Sequence, residues 1–238
     1  MGYRPNYLHD GYVMPHFETR QSGEFLKFAY EHGMEGARFD SLTGQWSVHG
    51  PRLYVHLRLL NKPTLEIDEI RREYFSAFGP AAGAVERYCD YWEDYAVANT
   101  MRFVEWFGDP RPWMRYRSYP RRAHQAFPPE VFAPAAALLD EALAAARKDP
   151  LPEYARRVEF LQVGLEHAGR TVRLASLFDG NTNVPQSRLE EAKAALSDLV
   201  RFRKEHERLY FSDLLWVTSF WERPCLNVDG LMESAAEK

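Results

Sequence analysis

From residue 51 to 208 the apolar positions recur every three or four residues, the period of helices with one buried face. Leu53, Leu57 and Leu60 share a side of the segment 51–60, and Pro51 is suited to open that helix. In 67–79 Ile67, Ile70, Tyr74, Phe75 and Phe78 form one stripe. Gly79 fits the left-handed position that closes a helix and Pro80 the first turn of the next, so this Gly-Pro pair reads as a helix junction. The following helix is expected over 80–107, with Val85, Tyr88, Trp92, Tyr95, Asn99, Phe103 and Trp106 as a long seam in which Asn99 is the polar exception. A proline-rich loop, 109–129, precedes helices at 129–148, 152–178 and 187–208, the last with Ser187 as a cap. Their stripes include Phe132, Ala135, Leu139 and Ala142, then Val158, Leu161, Leu165, Ala168, Val172 and Ala175. Short links between long amphipathic helices predict antiparallel neighbours in a bundle.

The first fifty residues carry a different pattern. The run GYVMPHF (11–17) has strand character, and SGEFLKFAYEHG follows as a helix with Ser22 as its cap and Gly33 at its end. EGARFD (35–40) is a second short strand candidate. Strand, helix and strand of these lengths make a βαβ unit, which requires a parallel sheet. Two strands cannot bury themselves, so the unit reads as part of something larger. The expected fold is therefore mainly α: a partial (β/α) barrel end of one βαβ unit, followed by an antiparallel α-helical bundle. The expected divisions are 1–50 for the barrel units, 51–108 for collar helices and 109–238 for the bundle.

Composition narrows the function more than the fold. With 238 residues, 45% hydrophobic and 27% charged, the chain is that of a folded protein, and its net charge of -4 lacks the cationic field of a nucleic-acid binder. The basic stretch RPWMRYRSYPRR (111–122) reads as a solvated loop. Cys89 and Cys225 are the only cysteines, so neither a disulfide framework nor a zinc site is expected. The eight histidines do not cluster: His49 and His56 lie seven apart across a Gly-Pro, and no metal ligand set or cofactor fingerprint occurs. No signal peptide or membrane-length apolar run is present. The chain as written is expected in the cytoplasm, with export following if an upstream signal has been lost.

Candidate chemistry falls at the strand ends, where parallel α/β folds place their reacting groups. His16 and Glu18 follow the first strand candidate and Asp40 the second. Glu18 and Asp40 could divide acid and base duties in glycoside hydrolysis. Each also has a structural role open to it: Asp40 in the turn at Thr43-Gly44, Glu18 at the amino end of the helix. Trp46 either offers its indole to the apolar face of a sugar ring or packs beneath the collar helices.

The stretch GPRLYVHLRLLNKPTLEIDEIRREYFSAFGPAAGAVERYCDYWED resembles the segment after the last barrel strand in bacterial α-glucuronidase-like, glycoside-hydrolase-like proteins of the group called domain of unknown function four-eight-three-eight. The features that carry the resemblance are Asn61-Lys62-Pro63, Asp68-Glu69, Tyr74-Phe75, Phe78-Gly79-Pro80-Ala81 and the pair Tyr88 and Trp92. SGEFLKFAYEHGMEGARFD is similar to that group's last barrel helix and strand, and RVEFLQVGLEHA to a helix of its C-terminal bundle. The resemblance spans about residues 11–208. It implies a carbohydrate-active protein that hydrolyses glycosidic bonds, with uronic-acid-containing glycans among its candidate substrates and Asp40, Glu18, Trp46 and His16 at the cleft. Where many relatives carry a Glu this chain has FDSLTGQW, so Asp40 is a shifted or substituted match. A complete barrel takes roughly 250 residues, so the partners expected are a glycan and either the missing barrel segment or another protein. The isolated chain is then expected to be inactive, and the alternative is a non-catalytic helical interaction or scaffold module.

Overall fold

The computed structural model describes residues 2–3, 12–39, 44–106 and 119–231. Within them the protein is mainly helical. Helices α1 (Thr19–Glu31), α2 (Trp46–Asn61) and α3 (Ile67–Ser76) enclose one small core, in which Leu26, Val55, Leu59, Ile67 and Ile70 are buried together. The junction at 79–81 leads into α4 (Ala82–Ala98) and then into the short helices α5 (Thr100–Trp106) and α6 (Tyr119–Ala126). The bundle continues with α7 (Phe132–Ala146), α8 (Pro152–Phe178) and α9 (Leu189–His206). After a turn, α10 (Leu214–Trp216) runs into a widened turn of π-helix at Val217–Glu222.

The longest helix, α8, is the hub: α2, α6, α7 and α9 all pack on it. Its buried stripe Val158, Leu161, Leu165, Ala168, Val172 and Ala175 has the spacing read from the sequence, and it joins Leu139 and Ala142 of α7 and Val85, Tyr88 and Trp92 of α4 in the main core. At Gly164 the Ser47 side chain of α2 comes so close that a Cβ there would stand 2.5 Å from the Cβ of Ser47. No described helix is long and apolar enough to cross a membrane.

The run 11–17 is not a strand among its described residues. Residues 12–18 are irregular, and Tyr12, Val13, Met14 and Phe17 lie inside the main helical core. Phe17 meets Tyr88 of α4 edge-on at 5.5 Å, and Tyr12 lies against Trp221 at 5.3 Å. The run is apolar because helices surround it, and enclosure leaves the same trace in a sequence as a buried strand does. Strand pairing occurs elsewhere: β1 (Gly2–Tyr3) pairs in parallel with β2 (Gly36–Ala37), Gly2 opposite Gly36 and Tyr3 opposite Ala37. The order β1, α1, β2 keeps the connectivity of a βαβ unit, with two residues in each strand.

Three further boundaries differ for identifiable reasons. Helix α2 begins at Trp46 and carries Pro51 inside it, so the Gly-Pro step bends no chain into a loop; it only removes one backbone donor. The expected helix 80–107 is broken at Asn99, whose side-chain amide donates to the Tyr95 carbonyl at 2.9 Å and ends α4. The polar residue of the seam is therefore a cap. Helix α1 starts three residues before Ser22, whose amide and hydroxyl both bond the Glu18 carbonyl within the first turn.

Candidate functional site

The irregular segment after β1 delivers His16 and Glu18 to the first half of α2. Glu18 directly precedes α1 in a left-handed conformation (φ 40°, ψ 39°), which is strained for a residue with a Cβ, and its carboxylate makes no capping bond to that helix. It turns instead to His16, with Nδ1 to Oε1 at 3.5 Å, and to the buried Arg52 of α2, with Nη1 to Oε2 at 3.4 Å. Burial raises the carboxyl pKa. The hydrogen bond and charge of His16 and the charge of Arg52 outweigh that effect and hold the group down to about 2. Glu18 is thus a carboxylate throughout the neutral range.

Aromatic packing fixes the other side of this pair. The His16 ring stands edge-on to Phe127 at 5.3 Å and tilted against Phe103 at 5.6 Å. Below it, His49 is buried, hydrogen-bonds the Met14 backbone and lies beside Arg52; burial first, then the guanidinium, push its pKa far down, so the ring is neutral. Its Nε2 has no hydrogen-bond partner among the described residues. Two turns on, His56 bonds the Ser22 backbone, and burial together with Arg52 lowers its pKa to about 3. His49, Arg52 and His56 share one face of α2 at i, i+3 and i+7, a spacing that becomes visible once the helix is extended through the Gly-Pro. Among the described residues no group of three or more His, Cys, Asp or Glu is placed to hold a metal ion.

A second polar network fixes the amino end of α1 from below. Glu93 of α4 accepts the Thr19 amide at 2.6 Å and also the Thr19 hydroxyl, so a neighbouring helix supplies the cap that the α1 sequence lacks. Arg71 of α3, 1% exposed, donates to Glu93 at 3.1 Å and to Asp90 at 2.5 Å.

Trp46, the first residue of α2, is 45% exposed and lines an open cavity of about 460 Å³ together with Tyr210, Asp213 and Leu215. Asp40 lies outside the described residues. The structure therefore brings His16 and Glu18 together and adds His49 and Arg52 to them, and it places Trp46 one turn earlier on the same helix. Neither a scan against family models nor searches of curated proteins and of solved structures finds a match to this chain.

Proposed function

We propose that this chain is the C-terminal portion of a carbohydrate-active, glycoside-hydrolase-like protein, and that His16, Glu18, Asp40 and Trp46 belong to its glycan cleft. The observation that carries this reading is the parallel β1, α1, β2 connection. His16 and Glu18 lie in the segment that follows β1, and Asp40 and Trp46 lie in the segment that follows β2, the positions from which parallel α/β folds present reacting groups. Two strands of two residues cannot bury their own faces. Helix α1 also turns Phe25, Phe28 and Tyr30 outward, a face suited to coverage by further barrel units.

Glycoside hydrolysis needs one carboxyl group that holds a proton and one that does not. Glu18, kept ionised by Arg52 and His16, fits the second role, as nucleophile or as the charge that stabilises an oxocarbenium-like transition state. The acid is then Asp40. The test is glycosidase activity of the complete natural product toward neutral and uronic-acid-containing glycans. Glu18→Gln and Asp40→Asn are each expected to lower turnover by about 10²-fold or more with the far-ultraviolet circular dichroism unchanged. Undiminished turnover in both variants would remove the site assignment, and a complete product with no glycosidase activity would remove the reading.

One observation favours a second reading, a helical interaction or scaffold module. Helices α7 and α9 flank α8 and leave a groove of about 820 Å³ floored by Phe132, Ala136 and Leu165. Glycosidase activity abolished by Glu18→Gln decides against it.

A further inference from the structure

The cavity beside Trp46 is built from two distant parts of the chain. One wall is the start of α2, and the other is the turn 207–215 that joins α9 to α10. Three hydrogen bonds lock them together: the Ser47 amide and hydroxyl both donate to the Phe211 carbonyl, at 3.2 and 3.1 Å, and the Ser212 hydroxyl donates to the Gln45 side-chain oxygen. The cavity is thus formed before any ligand arrives, which removes an ordering cost from binding.

Its lining combines aromatic rings with carboxylates. Leaving an indole 45% exposed forgoes the stabilisation that burying it would bring, and Tyr210 is 78% exposed in a left-handed conformation (φ 51°) that strains any residue with a Cβ. Glu207 and Asp213 supply the charge. Asp213 spends one oxygen on the Trp216 amide at 2.9 Å and keeps the other. No Lys, Arg or His occurs among the described lining residues. Aromatic faces stack on the C–H face of a sugar ring, and carboxylates accept its hydroxyl protons, whereas two carboxylates without a cation repel a third. A smaller cavity of about 310 Å³ shares Glu207 and Leu214 with this one; its Arg203 and Arg223 are paired with Glu222 and Asp229, and it also holds Lys204, so the cation-free lining is that of the Trp46 cavity alone.

We infer that the cavity between the start of α2 and the turn 207–215 binds a neutral sugar residue within a glycan chain. The inference rests on the proposed glycan-acting reading and narrows its substrate class, since this position rejects uronates.

Calorimetric titration of the full chain with cellohexaose, xylohexaose, mannohexaose, hexagalacturonate and choline tests it. At least one neutral hexasaccharide is expected to bind, hexagalacturonate at least tenfold more weakly. Trp46→Ala and Tyr210→Ala should each weaken neutral binding at least tenfold while leaving the melting temperature unchanged. The inference is overturned if no neutral hexasaccharide binds, if hexagalacturonate or choline binds more tightly, or if both aromatic variants bind like the parent. Neutral glycan binding by a complete product that hydrolyses no glycoside would remove the hydrolase reading and leave this one. Glycosidase activity and glycan binding untouched by both aromatic substitutions would do the reverse.

Discussion

Gly79 is held at φ +53°, and a Cβ on it would stand 2.6 Å from the ring of Tyr154. Backbone conformation and close approach thus demand glycine independently, and only the first demand is visible from the Gly-Pro pair. Gly79→Ala is expected to destabilise the protein by about 1–3 kcal/mol from the backbone alone, and by more once the ring is displaced, as read from urea denaturation. A second residue-scale prediction concerns Arg203, Glu222, Tyr12 and His167. Arg203 binds Glu222 through two nitrogens at 2.8 and 2.5 Å, donates to His167 Nε2 at 2.9 Å, and shares Glu222 with the Tyr12 hydroxyl, all of them buried. Removing one member leaves a buried charge without compensation, so Arg203→Met should cost about 3–5 kcal/mol, whereas Arg203→Met with Glu222→Leu should recover much of the loss. The partners lie far apart in the chain, and no local spacing could have paired them.

Helix by helix, the periodicity was a reliable guide wherever one stripe met one partner. Helices α3, α7, α8 and α9 fall within a few residues of their expected bounds, and α8 coincides with them. The pattern fails where two causes leave the same trace. Tyr12 to Phe17 are apolar through enclosure by helices, and α6 lies in a stretch whose prolines read as a loop, although Pro120 at its first turn is where a helix accepts one. Reading Gly50-Pro51 as a start instead of an interior step shortened α2 and hid the face shared by His49, Arg52 and His56. Of the residues around the candidate site, His16 and Glu18 were singled out for following a strand at 11–17 that is not formed among its described residues, and Trp46 for a loop position that proves to be the first residue of α2; His49 and Arg52 drew no such notice. That hidden face, together with His167 of α8, carries a pH dependence. His49, His56 and His167 are buried and their pKa values are depressed, so the folded state keeps them neutral while the unfolded chain takes up protons below about 6.5. Protons then favour the unfolded state, and stability falls as pH drops from 7 to 5. A ring that stays neutral when folded costs about 2 kcal/mol by pH 5. A lower melting temperature at pH 5 than at pH 7, with a smaller difference in His56→Gln, is the expected result. Glu18 adds a separate loss, beginning near its ordinary pKa of 4.5 and completed as the pH falls through about 2.

For the whole molecule the deciding feature is the contrast between the two ends of the helical array. The main core draws residues from the segment before α1, from α4, α7 and α8, and from the C-terminal turn, and it closes on itself around α8. The corner formed by β1, α1 and β2 does not close in that way. Phe25, Phe28 and Tyr30 of α1 are about half exposed, and the paired strands are two residues long. Exposed aromatics beside a short parallel sheet are what a βα unit leaves uncovered when its neighbours are absent, and also what a self-associating surface looks like. If the outer face of α1 is kept for further barrel units, charges placed there should leave this chain's own fold alone and reduce its self-association. The double substitution F25E/F28E is therefore expected to shift unfolding by no more than about 0.5 kcal/mol per site and to suppress a concentration-dependent rise in sedimentation coefficient. Collapse of the melting transition in F25E/F28E would instead place both rings in the chain's own core. The outward face of α1 would then give no support to a covering domain, and the barrel reading would rest on the strand pairing alone.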